Sequence, residues 1–192
     1  VSDSKPWAYT PQHSDRNFAV YGNIQMAFPG SITAALGSRF DHNWEAGGSG
    51  GFGNLFTNRM ALIFDLTEEQ SLKLIAGQAF QDPQPFKKYS TVPDIRPLPG
   101  GDLKPEKLNS FEVLYEVYSK SRWKTSTSVY FNRVENKIVD VPLPGQPGAT
   151  QYQNKGTLDI FGGEFEGRYF LKPNRSLFLN ITANSAKDSE TG

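Results

Sequence analysis

Glu164 and Glu166, two residues apart, are the closest this sequence comes to a catalytic pair. Paired carboxylates hydrolyse glycosidic bonds only when a sugar fits between them, at about 5 Å for a retaining mechanism or about 6.5–9.5 Å for an inverting one. Residues two apart on a strand share a face, and no acceptor site is evident between them. Gly47-Gly48-Ser49-Gly50-Gly51-Phe52-Gly53 is glycine-rich, but no Lys-Ser or Lys-Thr follows and no helix pattern opens there, so it lacks the parts of a phosphate cradle. His13 and His42 are the only histidines and lie on different loops without spaced partners, so no metal site is expected. Asn174-Arg175-Ser176 and Asn180-Ile181-Thr182 match the glycosylation triplet by chance, one in a turn and one in a strand. The chemistry expected is therefore non-catalytic, with no cofactor.

Two other sets point to recognition. Residues 81–108 carry Phe86, Lys87, Lys88, Tyr89 and Arg96, a mix of aromatic rings and cations suited to an anionic, aromatic ligand. Loops position binding residues more often than walls do. The second set is Arg39, Arg59, Lys73, Glu112, Glu116, Glu164, Glu166 and Arg168, charges that alternate with apolar residues. They form either a surface that receives another part of the protein through charge-assisted hydrogen bonds or a solvated wall that fixes strand register. Val141-Pro142-Leu143-Pro144-Gly145-Gln146-Pro147-Gly148 reads as an extended, partly polyproline-like tip, either a flap over a ligand or a mobile loop.

The elements that must carry these residues come in pairs. Pro29 to Ser31 joins a strand over residues 17–28 to one over 32–41, and Leu66 to Gln70 joins 57–65 to 71–80. Ser119 to Arg122 joins 109–118 to 123–134, and Lys172 to Arg175 joins 158–171 to 176–186. Long polar loops separate the pairs at 42–56, 81–108 and 135–157, beyond or near the usual ceiling of about 12 to 15 residues for a structureless connection. Short turns on one side and long loops on the other are how a membrane β-barrel is threaded.

Period-two patterning supports this. Phe18, Val20, Ile24, Met26 and Phe28 oppose Tyr21, Asn23 and Gln25, and Leu177, Leu179, Ile181 and Ala183 oppose Asn180, Thr182 and Asn184. Leu72, Leu74, Val113, Tyr115, Leu177 and Leu179 are expected to face lipid. A strand of about ten residues tilted ~40° covers roughly 25 Å, the height of an outer-membrane apolar band. Phe28, Phe40, Phe64, Phe80, Tyr118, Trp123, Tyr169 and Phe170 stand near strand ends, as interfacial girdles require.

Composition sets the remaining bounds. The 192 residues carry 20 basic and 20 acidic side chains. That balance argues against a nucleic-acid surface. No run of ~18 apolar residues exists, which excludes a transmembrane helix but not a barrel. Cysteine is absent, so disulfide frameworks and thiolate metal sites are excluded.

Several segments resemble the TonB-dependent outer-membrane receptors. Leu36-Gly37-Ser38-Arg39-Phe40-Asp41 is similar to the family's GxRYD strand end, and Asn58-Arg59-Met60-Ala61-Leu62-Ile63-Phe64 to its PRxALxY strand. Leu72 to Pro83 resembles LKLxYGxAFRAP, Leu103-Lys104-Pro105-Glu106 resembles LKPE, and Gly162 to Gly167 resembles the late GxExE strand. Each motif is weak alone, and five in the family's order are together specific. Asn58 departs from the usual Pro, and Gln81-Asp82 from Arg-Ala.

The resemblance implies an all-β fold: an antiparallel up-and-down meander of about eight strands, part of a large transmembrane β-barrel of roughly 22. Residues 1–192 are then read as one partial barrel domain, cut at both ends, from the cell outer membrane. It further implies TonB-dependent uptake of a scarce ligand, most favourably an iron–siderophore complex. The eight charged residues would face the plug domain of the full-length chain, and TonB would be reached through that missing part. Two rivals stay open on sequence alone. One is a small closed barrel acting passively, in which the first and last strands pair; the other is a soluble all-β binding module that buries its apolar face.

Overall fold

The computed structural model describes residues 15–45, 51–89, 98, 100, 102–119, 122–172 and 174–188. Eight strands form one antiparallel sheet in sequential order: β1 (Asp15–Phe28), β2 (Ile32–Glu45), β3 (Gly53–Thr67), β4 (Gln70–Gln81), β5 (Glu106–Tyr118), β6 (Trp123–Pro142), β7 (Thr150–Lys172) and β8 (Arg175–Asp188). A one-turn helix, α1 (Pro85–Tyr89), lies between β4 and β5. Among the described residues β1 pairs only with β2 and β8 only with β7, so the sheet does not close into a small barrel.

The register shows why this sheet belongs to a wide, tilted wall. Ile32, immediately after the first turn, pairs across successive strands with Phe64, Leu72, Tyr115, Thr127, Phe165 and finally Ile181. Ile181 stands six residues beyond the start of β8 at Arg175. Each hairpin therefore begins lower than the one before it, the stagger that accompanies strand tilt in a barrel.

The sheet has no second layer. Its buried apolar residues are only Ala34, Leu103, Ile138 and Ala149, whereas Phe111, Phe161 and Leu177 are 56%, 59% and 61% exposed on one face. A sandwich would cover that face, so the soluble-module reading fails. The cross-strand rows place Phe18, Met60, Leu74, Val113, Phe161 and Leu179 together, an apolar band spanning all eight strands. Every backbone group in such a band must be satisfied within the sheet, because hydrocarbon offers no partner.

Three expectations need correction. The third loop, expected at 135–157, is mostly strand: β6 runs to Pro142 and β7 starts at Thr150, leaving seven residues between them. A bulge around Lys137, with Asn136 at φ 56°, lets β6 bend and pairing resume above it. The first loop is likewise shortened by β2 reaching Glu45 and β3 starting at Gly53. Aromatic pairs line the upper outward face, with Phe40 and Phe56 rings 4.9 Å apart and Phe52 and Phe80 rings 5.2 Å apart. Tyr118 and Phe170, however, share the face of Glu116 and Arg168 and are not part of an outer girdle.

Candidate functional site

The alternation of each strand puts all eight charged residues of the expected polar set on one face, opposite the apolar band. They are not one cluster. Arg39 is held by Asp41, with Nε and Nη2 bonded to the carboxylate at 2.8 and 2.7 Å. Arg59 Nη2 donates to Asn23 Oδ1 at 2.6 Å. Together with Tyr21 and Thr57 these two arginines border a hollow of about 550 Å³ on the polar side.

Nearer the turns, the almost buried Glu116 ion-pairs with Lys73, lies 3.7 Å from Lys124 Nζ, and accepts from Ser71 Oγ at 3.5 Å. Glu164 accepts from Asn180 Nδ2 at 3.1 Å and Thr182 Oγ1 at 3.2 Å, both on the paired strand β8. Those contacts are cross-strand register bonds and do not form a carboxylate pair aimed at a substrate. Arg168 sits 5.6 Å above the Phe178 ring. Glu112 and Glu166 share the face without a hydrogen bond or ion pair to the other described residues. His42 bonds Asn54 at 2.7 Å, and no group of three or more possible metal ligands occurs among the described residues.

The second set of residues sits beyond the wall, where the chain after β4 docks on the extended β6–β7 hairpin. Leu98 forms a parallel bridge to Gln151, with Leu98 N–H donating to Thr150 O at 2.7 Å and Tyr152 N–H to Leu98 O at 3.0 Å. Gly100 N–H donates to Lys87 O at 3.0 Å and Ile138 N–H to Glu106 Oε1 at 2.8 Å. Side chains larger than glycine cannot replace Gly100, since a Cβ would fall 2.1 Å from Tyr152 O.

This docking separates the expected ligand residues. Lys88 is buried and paired with Asp82 at 3.0 Å, so it holds the connection together and presents no exposed cation. Lys87 Nζ lies 5.6 Å from the Tyr152 ring centre, a cation–π contact. Phe86 and Tyr89 are half-buried on α1, and Arg96 lies outside the described residues. Tyr152 and Asp82 had no signal in the sequence: one falls in what reads as loop, and the other looks like an ordinary turn acid. Burial, and secondarily the charge of Asp140 on the paired strand, raises the Tyr152 phenol above its usual value.

A single staggered sheet, bare and apolar on one face and charged on the other, is the wall of a membrane β-barrel. Residues 2–192 match the family model described as TonB dependent receptor-like, beta-barrel. The chain belongs to that family, whose members lie in the outer membrane of Gram-negative bacteria. Solved structures share the fold. The alcaligin outer-membrane receptor FauA of Bordetella pertussis is 20% identical at TM-score 0.63, over 93% of this chain and 31% of its own. The siderophore receptor PirA of Pseudomonas aeruginosa is 20% identical at 0.71, over 90% and 32%. The ferric enterobactin receptor PfeA of Pseudomonas aeruginosa, as an R480A mutant with enterobactin, is 19% identical at 0.71, over 88% and 27%. The present chain thus spans about a third or less of these relatives. A search of curated proteins returned no match.

Proposed function

We propose that the receptor to which this wall belongs imports a ferric siderophore across the outer membrane, with energy supplied through TonB. The observation that carries the reading is the docked connection between β4 and β5. It is a built structure above the wall, anchored by Lys88–Asp82 and Leu98–Gln151, that offers Lys87 with Tyr152, Phe86 and Tyr89 on one short stretch of surface. Cations beside aromatic rings suit anionic chelates whose ligand groups are themselves aromatic or planar. Three structures of similar fold are described as receptors for alcaligin, a siderophore and ferric enterobactin, which supports this ligand class.

On this reading the polar face lines the lumen and receives the plug of the full-length chain. Arg39, Arg59, Lys73, Glu112, Glu116, Glu164, Glu166 and Arg168 then act in two ways. Those already paired within the wall fix its register, while Glu112 and Glu166 keep acceptor capacity for plug donors. No step requires chemistry on the ligand.

The test is titration of the full-length receptor in detergent with ferric catecholate and ferric hydroxamate siderophores, before and after excision of residues 83–102. Micromolar or tighter binding of one class, lost on excision while the barrel still assembles, is the expected result. Unchanged affinity after excision would move binding away from this connection.

A further inference from the structure

The apolar face is not uniformly rough. A groove of about 670 Å³ runs along it between Ile24 and Leu36 on one side and Phe111 on the other, with the small side chain of Ala76 recessed between Met60 and Phe111. Gly22 deepens it, since a Cβ there would meet nothing within 4 Å. A second hollow of about 400 Å³ shares Met60, Ala76 and Phe111 and extends towards the turns past Leu74 and Val113.

The loop-side end of the groove is polar. Asn58 donates from its N–H and Nδ2 to Gln78 Oε1 at 3.3 and 3.4 Å, Gln78 Nε2 donates to Asn109 Oδ1 at 3.0 Å, and Asn109 Nδ2 donates to Glu135 Oε2 at 3.3 Å. This chain of amides leaves Asn58 Oδ1 and Ser38 Oγ, both at the groove, without a hydrogen-bond partner among the described residues. Asn58 lies nine residues from the end of β3 at Thr67, or roughly 23 Å up a strand tilted ~40°. The polar end therefore falls at the outer boundary of the band, with the apolar recess below it.

We propose that this groove is a lipid site holding one acyl chain of an outer-leaflet amphiphile whose linkage carries hydrogen-bond donors, an amide N–H or a β-hydroxyl. The proposal rests on the apolar face being turned to lipid. An acceptor facing hydrocarbon without a donor is costly. The ester linkages of a diacylglycerol phospholipid are acceptors only and cannot satisfy Asn58 Oδ1. An amide-linked β-hydroxyacyl chain supplies the donors, and its carbonyl can accept from Ser38 Oγ–H.

Native mass spectrometry of the full-length receptor in detergent tests this, with equimolar glucosamine lipid carrying amide-linked β-hydroxyacyl chains and phosphatidylethanolamine of equal chain length as competing probes. Wild type should retain the amide-linked lipid at least about tenfold better, since a polar site rejects ligands that leave its groups unpaired. Asn58→Leu should bring the two lipids close to parity, and Ala76→Phe, which fills the recess, should lower retention of both by about tenfold. Equal retention by wild type, or retention indifferent to Ala76→Phe in an assembled barrel, would overturn the site. The wild-type competition decides even where a variant fails to assemble. A failure of the apolar face to contact lipid at all would show instead as no reconstitution into vesicles.

Discussion

Arg59 lies across the backbone of Gly37 to reach Asn23. The three residues form one row over β1, β2 and β3, and a Cβ on Gly37 would fall 2.8 Å from Arg59 Nε and 2.7 Å from Asn23 Oδ1. Glycine here serves close approach of a neighbour's side chain rather than a turn. The same device recurs at Gly162, where a Cβ would meet the Tyr130 ring at 2.6 Å.

Gly37→Val should therefore break the Arg59–Asn23 bond and cost about 1 kcal/mol, the usual net worth of such a bond. Denaturant unfolding of the full-length receptor reads this directly. Asn23→Ala removes the same bond, so the double variant should cost clearly less than the two single changes together. Strict additivity would show that Gly37 acts for another reason.

Val113 and Glu112 are neighbours on opposite faces of β5. Val113 stands five residues above the end of β5 at Tyr118, near mid-band for a tilted strand. Val113→Arg should cost about 2–4 kcal/mol in membrane stability. Glu112→Arg, on the face towards water, should cost under about 1 kcal/mol. Equal penalties in a bilayer unfolding assay would reverse the assignment of faces.

Much of this architecture is legible from residue order because a bilayer imposes a strict period. Leu177, Leu179 and Ile181 against Asn180 and Thr182 announce both strand and face, and Pro29-Gly30-Ser31 announces its turn, with Gly30 and Ser31 both at positive φ. That rule lapses above the membrane. β6 and β7 continue for about eight residues past the expected strand end with Pro142 and Thr150 at their tips, where neither face needs to be apolar. The docking of Leu98 on Gln151 was equally invisible, because a single parallel bridge has no periodicity. Lys88 read as a ligand residue because its type suited one, while its partner Asp82 is what decides its role.

Tyr152 should ionise later than an ordinary phenol, because burial and Asp140 both disfavour the phenolate. A phenol with a raised folded pKa contributes stability below its unfolded value near 10, and that contribution is lost as pH rises from there through the folded value. The ultraviolet difference spectrum between wild type and Tyr152→Phe isolates this one residue of eight tyrosines. A midpoint at or below the ordinary value would show that the β6–β7 hairpin leaves it exposed.

The two lysines of α1 should respond differently to removal. Lys87→Ala takes a cation from beside Tyr152 and should weaken binding of an anionic chelate more at low salt than at high salt, since exposed charges are screened over about 10 Å at 0.1 M. Lys88→Ala strands Asp82 in a largely enclosed position and should loosen the whole connection, seen as faster amide exchange at Gly100 and Tyr152, with a salt dependence of binding close to wild type. Matching salt profiles for both variants would mean that neither charge meets the ligand directly.

Asn154 provides the sharpest test of whether the connection and the hairpin form one body. Its Oδ1 accepts from Lys104 N–H at 2.7 Å, and its Nδ2 donates to Lys104 O at 2.9 Å and Asn136 O at 2.7 Å, so one amide ties the entry to β5 to the bulge of β6. Asn154→Ala leaves three backbone groups to water, and Asn154→Asp keeps the acceptor but loses both donors. Alanine should release residues 102–108 to exchange at least about tenfold faster, the factor for roughly 1.4 kcal/mol of local stability. Aspartate should fall between alanine and wild type, because the Lys104 N–H keeps its partner. Exchange in β4 and β8, which Asn154 does not touch, should stay as in wild type. Equal exchange in all three proteins would separate the connection from the hairpin and remove the support on which the Lys87–Tyr152 surface depends.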